Sequence, residues 1–381
     1  MRIKTIPLLV TTLLLLGLIL TACSPKPTAT LPSEIIIGVY EPMTGFQAEG
    51  GQQTMQGINL AYEQDSSALG LPVRLVLMDN RSDRFESASV VNRLIEQEHV
   101  IAIIGSYGSS NAIAGGAVAE AAGIPVMGCS PTSPLVTTGR DYYFRVSYID
   151  PFQARVMAQY AVDQEISRIA IIYNITQAYS VGLANDFRQS WIELTGSADG
   201  IVATVAYSDG DEDFTDQITL SMTAEAIYIP GYFGDAARLM QQARDLGYTG
   251  RFLGSDGWEA PELLSIGGEA VEGAVFTTHF SAEVPDSPLA QQFVTQFEAR
   301  YGEPPSAFAA LGYDAYRLVL DSIERAQSAD PDAIRDAMAA TRNFAGVTGS
   351  ITIDDSGNAV KNAVLMVVRD GAFEFLALAK P

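Results

Sequence analysis

Ile101-Ala-Ile-Ile-Gly-Ser-Tyr-Gly-Ser-Ser-Asn111 runs from an apolar segment into a Gly/Ser loop and on into the Ala-rich stretch Ser110–Ala122, which predicts a helix. A short apolar run without alternation fits a strand buried on both faces, as in a parallel sheet. The N-terminus of the helix that follows exposes unpaired backbone N–H groups and attracts anions. Gly108 lets a ligand approach the backbone closely, and a serine hydroxyl adds a donor. The plainer reading of the same loop is that Ser109 or Ser110 caps the helix.

The same unit recurs on both sides of this stretch. Upstream, Glu34-Ile-Ile-Ile-Gly-Val39 begins the folded sequence as a buried strand, followed by helical spacing over Gln53–Asp65, a strand at Val73–Met78, a helix at Glu86–Glu98 and a strand at Val100–Gly105. Downstream lies a strand at Pro125–Gly128, and after a loop the alternation restarts. It gives strand Arg168–Tyr173, helix Ser180–Leu194, strands Gly200–Tyr207 and Ala226–Ile229, helix Asp235–Leu246 and strand Arg251–Leu253. Strands separated by helices predict an α/β fold of two Rossmann-like lobes with parallel-rich sheets, and ligands at the carboxyl ends of the strands. Helices at Ser287–Tyr301, Ala307–Arg325 and Asp332–Thr341 and a final strand pair, Ser350–Asp354 and Ala363–Arg369, complete the pattern, with a turn at Asp370-Gly371.

The strand ends carry distinct chemistry. Gly128-Cys-Ser-Pro-Thr-Ser-Pro134 is held extended by its prolines and presents the Thr132 hydroxyl. Together with the Ser109 loop it makes a candidate carboxylate cradle, although an ordinary turn is the simpler alternative. Tyr179 stands just before a helix, Tyr232 follows Gly231 on a turn, and Leu253-Gly-Ser-Asp-Gly-Trp258 places one carboxylate and one indole together. Asp256 could counter a cationic ligand group or serve as a turn or capping residue.

Composition narrows the function classes. The 381-residue chain is 48% hydrophobic and 18% charged, with a formal net charge of −22; its length corresponds to about two domains with a sizeable core. Its four lysines, Lys4, Lys26, Lys361 and Lys380, are scattered. No basic patch for nucleic acid can be built from them, and the acidity repels anionic lipid. His99 and His279 stand alone without a second ligand at zinc-site spacing, so each reads as structural or exposed and no metal is expected. No nucleophile elbow, phosphate-binding loop or dinucleotide fingerprint is present, so neither an enzyme nor a cofactor is expected.

The N-terminus speaks to location. Arg2 and Lys4 precede the apolar run Ile6–Leu20, a secretory-signal pattern that is too short to span a membrane comfortably. Leu20-Thr-Ala-Cys23 resembles a bacterial lipoprotein box. That resemblance implies a signal peptide over 1–22 and an acylated Cys23 that begins a flexible tether over 23–33. It also implies a protein held by lipid on the extracytoplasmic face of the cell membrane. Two or three acyl chains exceed the single chain that binds only marginally. With Cys23 acylated, Cys129 has no disulfide partner.

Taken in order, Gly38–Gly45, Ile103–Ser110, Ile124–Pro134, Tyr143–Asp150, Gly231-Tyr232 with Gln242–Gly247, and Phe252–Gly257 resemble the type I periplasmic binding proteins, especially the branched-chain amino-acid receptors of ABC transporters. The resemblance spans nearly all of Glu34–Arg369. It implies a multi-crossover hinge, with one lobe built from 34–149 plus 281–353 and the other from 150–280 plus 354–381. It implies a small amino acid in the interlobe cleft, ABC permease and ATPase subunits as partners, and a monomer as the usual form. Carried over by position, Ser109 and Thr132 would hold the α-carboxylate, and the Ser130 carbonyl and Thr132 would receive the ammonium. Tyr232 and Asp256 would close on the ammonium from the second lobe, and Tyr179 and Phe308 would border the ligand side chain. Asp256 replaces the glutamate usual in these receptors. Glu49 or Gly50 stands where some have a first-loop tyrosine, and Trp258 is an additional bulky residue expected near the pocket. A ligand-sensing lipoprotein of the same fold is the alternative, and amides, urea, aromatic acids or γ-amino acids are alternative ligands.

Overall fold

The structure, a computed structural model, describes residues 33–381; the signal segment 1–22, Cys23 and tether residues 24–32 lie outside the described residues. Apolar β-branched runs form the centre of the first sheet, whose strands are β1 (Ile35–Glu41), β2 (Ser67–Ala68), β3 (Leu71–Asp79), β4 (Ala102–Gly105), β5 (Val126–Gly128) and β6 (Tyr143–Arg145). Their order is β2-β3-β1-β4-β5-β6, parallel throughout except where β2 meets β3. Ile35, Ile37, Val39 and Ala102–Ile104 are wholly buried, as expected of strands covered on both faces. Helices α1 (Ala48–Gln64), α2 (Arg84–Glu96) and α3 (Ser109–Ala122) make the crossovers.

The chain then crosses to a second sheet through α4 (Asp150–Asp163), a helix that falls in what reads from sequence as a loop. Pro151 in its first turn, where a backbone N–H is not needed, starts it. The second sheet, which also takes in the C-terminal strands β15 (Ala363–Arg369) and β16 (Ala372–Ala379), has the order β16-β15-β11-β10-β9-β7-β8. Its parallel part comprises β7 (Ile169–Asn174), β8 (Ile201–Tyr207), β9 (Ala226–Tyr228), β10 (Arg251–Gly254) and β11 (Val275–Thr278), interleaved with α5 (Ala178–Thr195), α6 (Thr215–Ser221), α7 (Phe233–Asp245) and α8 (Pro261–Gly267).

From β11 the chain goes back to the first sheet's layer through α9 (Pro288–Tyr301), α10 (Ala307–Ala326) and α11 (Pro331–Ala339). The Tyr301 hydroxyl donates to the Gln56 carbonyl and the Tyr316 hydroxyl to the Asp65 carbonyl, fixing α9 and α10 against α1. Gly57 and Gly312 let α1 and α10 touch backbone to backbone. A Cβ on Gly57 would lie 1.8 Å from the Ala309 carbonyl oxygen.

The closing strands differ from the expected simple pair. Gly349–Ile353 (β13) joins a small antiparallel sheet with β12 (Phe344–Gly346) and β14 (Ala359–Val360). Ala363–Arg369 (β15) instead pairs with β11 and, through the Asp370-Gly371 turn, with β16 (Ala372–Ala379). The result is two α/β lobes joined by three crossings: β6 to α4, β11 to α9, and β14 to β15. Among the described residues no helix is long and apolar enough to cross a membrane.

Candidate functional site

Loops at the carboxyl ends of strands in both sheets meet between the lobes, where open α/β sheets bind ligands. They close on a tight cleft with a cavity volume of about 10 Å³. The first lobe contributes Tyr107, Ser109, Ser130, Thr132 and Phe308; the second contributes Tyr179, Tyr232, Asp256 and Gly257.

On the first lobe, neither serine caps α3, because Gly108 is the N-cap residue and makes no side-chain bond. Ser109 Oγ accepts from the Ser133 N–H at 3.2 Å. Ser110 Oγ reaches the other lobe, accepting from the Ala178 N–H and lying 3.2 Å from Gln177 Oε1. A second bond between the lobes runs from the Ala307 N–H to Glu259 Oε1, 2.7 Å. Thr132 Oγ1 and the Tyr107 hydroxyl are buried without a hydrogen-bond partner.

Arg145 braces the loop that carries Ser130 and Thr132. Its guanidinium donates to the Pro131 carbonyl at 2.7 Å, the Ser133 carbonyl at 2.9 Å and Thr137 Oγ1 at 2.9 Å. Burial pulls its pKa down to about 10, so it remains a cation behind the hydroxyl-rich loop at neutral pH. Glu41, at the end of β1, accepts from the Tyr107 N–H at 2.7 Å, and burial pushes its carboxyl up to about 8.

On the second lobe, everything converges on Asp256. The Tyr179 hydroxyl donates to Oδ1 at 2.5 Å and accepts from the Gly257 N–H at 3.0 Å. Gln153 Nε2 lies 2.9 Å from both Asp256 Oδ1 and Asp150 Oδ1, and its Oε1 accepts from the Thr277 hydroxyl at 2.7 Å. His279 Nε2 lies 3.1 Å from Asp256 Oδ2. Burial lowers the His279 pKa against the opposing pull of Asp256, which favours the neutral ring. No lysine or arginine among the described residues pairs with Asp256. Burial, reinforced by the Asp256 charge, pushes Asp150 up to about 8.

Aromatic rings wall the space between these two ends. Tyr179 stacks on Tyr232 with centroids 5.2 Å apart, and Tyr107 lies 5.8 Å from Tyr232 and 4.8 Å, edge-on, from Phe308.

Ser109, Ser130, Thr132, Tyr179, Tyr232, Asp256 and Phe308 therefore come together in the cleft, but Trp258 does not. Its ring is wholly buried in the second lobe, where Nε1 donates to the Ile229 carbonyl at 3.1 Å. The short turn Asp256–Trp258 folds the indole back over Gly254, where a Cβ would lie 2.3 Å from the ring. No site role for Tyr107 or Gln153 is legible in the sequence, and His279 reads there only as structural or exposed. Tyr107 was within reach, two residues before Ser109 in the same loop. Gln153 sits on the unrecognised helix α4, and an isolated histidine carries no motif. Among the described residues no group of His, Cys, Asp or Glu side chains is arranged to hold a metal.

Comparison with known proteins agrees with this architecture. A family model described as periplasmic binding protein matches residues 34–372. A leucine-, isoleucine-, valine-, threonine- and alanine-binding protein of Pseudomonas aeruginosa is 26% identical over 85% of this chain and 87% of its own. The leucine-binding protein LivK of Thermotoga maritima superposes with a TM-score of 0.89 at 42% identity, over 91% of this chain and 99% of that one. LivJ of Streptococcus pneumoniae, solved with isoleucine, gives 0.85 at 31% identity, over 91% and 100%. Members of this family are substrate-binding proteins rather than enzymes. The chain belongs to the periplasmic binding protein family, in its two-lobed type I form.

Proposed function

We propose that this chain is the substrate-binding protein of an ABC importer and takes an α-amino acid with a mainly apolar side chain between its lobes. The observation that carries the reading is the two-ended chemistry of the cleft. Hydroxyl-bearing residues of one lobe line the cleft opposite a carboxylate of the other with which no lysine or arginine among the described residues pairs, and aromatic rings lie between them. A zwitterion leaving water needs both charges satisfied, and charge-assisted bonds of ~1.5–3 kcal/mol each offset its desolvation. In this reading Ser109 and Thr132 receive the ligand carboxylate, Ser130, Tyr232 and Asp256 receive the ammonium, and Tyr107, Tyr179 and Phe308 border the side chain. A ligand touching both lobes favours the closed form through contacts that the open form lacks.

The relatives named for leucine, isoleucine and valine support the ligand class. A fold neighbour from R. palustris, at 22% identity, was solved with benzoate, which makes aromatic acids the comparison class in any screen. Leu20-Thr-Ala-Cys23 supports lipid attachment outside the cytoplasm, close to a permease that would read the closed shape. Thermal-shift and calorimetric screening against amino acids, amides and aromatic acids tests the assignment. Branched-chain or other apolar α-amino acids are expected to stabilise the protein, and Asp256→Asn to weaken their binding by ~1.5–3 kcal/mol. Stabilisation by amine-free acids alone would overturn the reading.

A further inference from the structure

His279 reaches Asp256 from behind the cleft. Its side chain is wholly inaccessible, its ring lies against Tyr148 with centroids 3.8 Å apart, and Nδ1 has no hydrogen-bond partner. Asp256 Oδ1 is held by the Tyr179 hydroxyl and Gln153 Nε2, and Oδ2 by His279 Nε2. Each of these donors is uncharged while the imidazole is neutral. The carboxylate is then oriented from three directions, yet its charge is left for whatever enters the cleft. A second proton on His279 changes that balance: the same 3.1 Å contact becomes a buried ion pair inside the protein.

We propose that His279 is the positioning residue of the amine subsite: neutral, it aims Asp256 at the ligand ammonium, and protonated, it takes the counter-charge and releases the ligand. The inference rests on the assignment of Asp256 to the ligand amine. The ligand ammonium and a protonated His279 compete for one carboxylate, so binding expels the histidine proton wherever the empty protein carries it. Affinity then falls as pH falls, approaching about one decade per pH unit for a single linked proton.

The other groups near this pair come from several elements. Asp150 and Gln153 belong to α4, Tyr148 to the segment before it, Tyr179 to α5, Tyr228 to β9, Glu259 to the turn after β10, and Lys361 to the link between β14 and β15. Asp150 and Glu259 stand at about 8 and about 7 through burial, so as the pH falls they take up protons before His279 does. Burial depresses Lys361 to about 8, so it too has taken up its proton before His279 does. The tyrosines are neutral throughout, their pKa values all raised by burial.

Calorimetric titration of L-leucine into the wild-type protein and into His279→Gln and Asp256→Asn, between pH 8 and pH 5, tests this. His279→Gln keeps an uncharged donor but does not titrate. The wild-type Kd is expected to be level near pH 8 and to rise toward tenfold per unit at the acid end. Titrations in buffers of different ionisation enthalpy should show proton release on binding there. His279→Gln is expected to lose the acid dependence of Kd. A wild-type pH profile in a folded His279→Gln, or no proton release by the wild-type protein at pH 5, overturns the inference; the second measurement needs no variant. Asp256→Asn separates the two levels of the argument. Wild-type affinity in that variant removes the amine assignment itself, whereas lost affinity with an unchanged His279→Gln profile removes only the role of His279.

Discussion

Replacing Arg145 with methionine tests whether the hydroxyl-rich loop depends on its buried cation. Arg145 is wholly buried and joins no salt bridge among the described residues; its bonds go to Pro131, Ser133 and Thr137. Hydrogen bonds from a charged donor contribute ~1.5–3 kcal/mol each, and a buried carbonyl left unpaired costs ~1–3 kcal/mol. In Arg145→Met the Ser133 carbonyl loses its side-chain donor whereas the Pro131 carbonyl keeps the Ser147 hydroxyl at 3.2 Å, and the cost of burying the guanidinium, visible in its lowered pKa, is relieved. The net loss is then ~1–3 kcal/mol of folding stability. Because the freed loop carries Ser130 and Thr132, L-leucine affinity is expected to fall roughly tenfold as well, about 1.4 kcal/mol. Arg145→Lys keeps the charge but not the planar fork, so it should recover less than half of the loss. Urea unfolding followed by circular dichroism gives the stability, and calorimetry gives the Kd. A change in stability under ~0.5 kcal/mol together with a wild-type Kd would refute the reasoning.

Two further outcomes are expected. Burial holds the carboxyls of Glu41 and Asp150 up at about 8 and that of Glu259 at about 7, above their unfolded values. Each therefore favours the fold at low pH and loses that contribution as pH rises toward its folded pKa. Lys361, depressed to about 8, acts only above that pH, and His279, lowered from 6.5, opposes the trend only below it. The melting temperature of the ligand-free protein should thus be several degrees higher at pH 6 than at pH 8, and equal values would contradict the burial argument. Cys23→Ser should move the protein from the membrane fraction to the soluble fraction while leaving L-leucine affinity unchanged. Retention in the membrane fraction would show that acylation at Cys23 is not the anchor.

The central strands of the lobes were legible because strands covered on both faces must be apolar along their whole length; Val100–Gly105 contains β4, and Ala226–Ile229 contains β9. The same logic pointed to Ser109, Thr132, Tyr179, Tyr232 and Asp256, since each follows the carboxyl end of a strand by a few residues, whereas Ser130 and Phe308 rest on the family resemblance. Helix α4 escaped notice, and Gln153 and its double bridge between Asp150 and Asp256 went with it. His279 follows β11 directly, but its contact with Asp256 depends on β10 and β11 lying side by side, which no local pattern records. Trp258 failed for the opposite reason. Neighbourhood in sequence suggested neighbourhood in the cleft, but a single short turn sends residues 256 and 258 to opposite sides. Of the small sheet, β13 is legible as the strand Ser350–Asp354, but β12 and β14, of three and two residues, carry too little periodicity to read.

The bonds that Ser110 makes to Gln177 and Ala178, and that Glu259 makes to Ala307, join one lobe to the other using protein atoms alone. Such bolts contribute ~0.5–1.5 kcal/mol each when both sides are otherwise solvated. Inverting a two-state population from 1:99 to 99:1 takes about 5.5 kcal/mol of differential affinity, and every bolt shortens the distance the cargo must cover. In the proposed role as an importer's receptor, an unloaded copy would visit its shut form. A permease that reads outline alone would then meet empty copies, and fidelity would come from how long the shut form lasts rather than from whether it occurs.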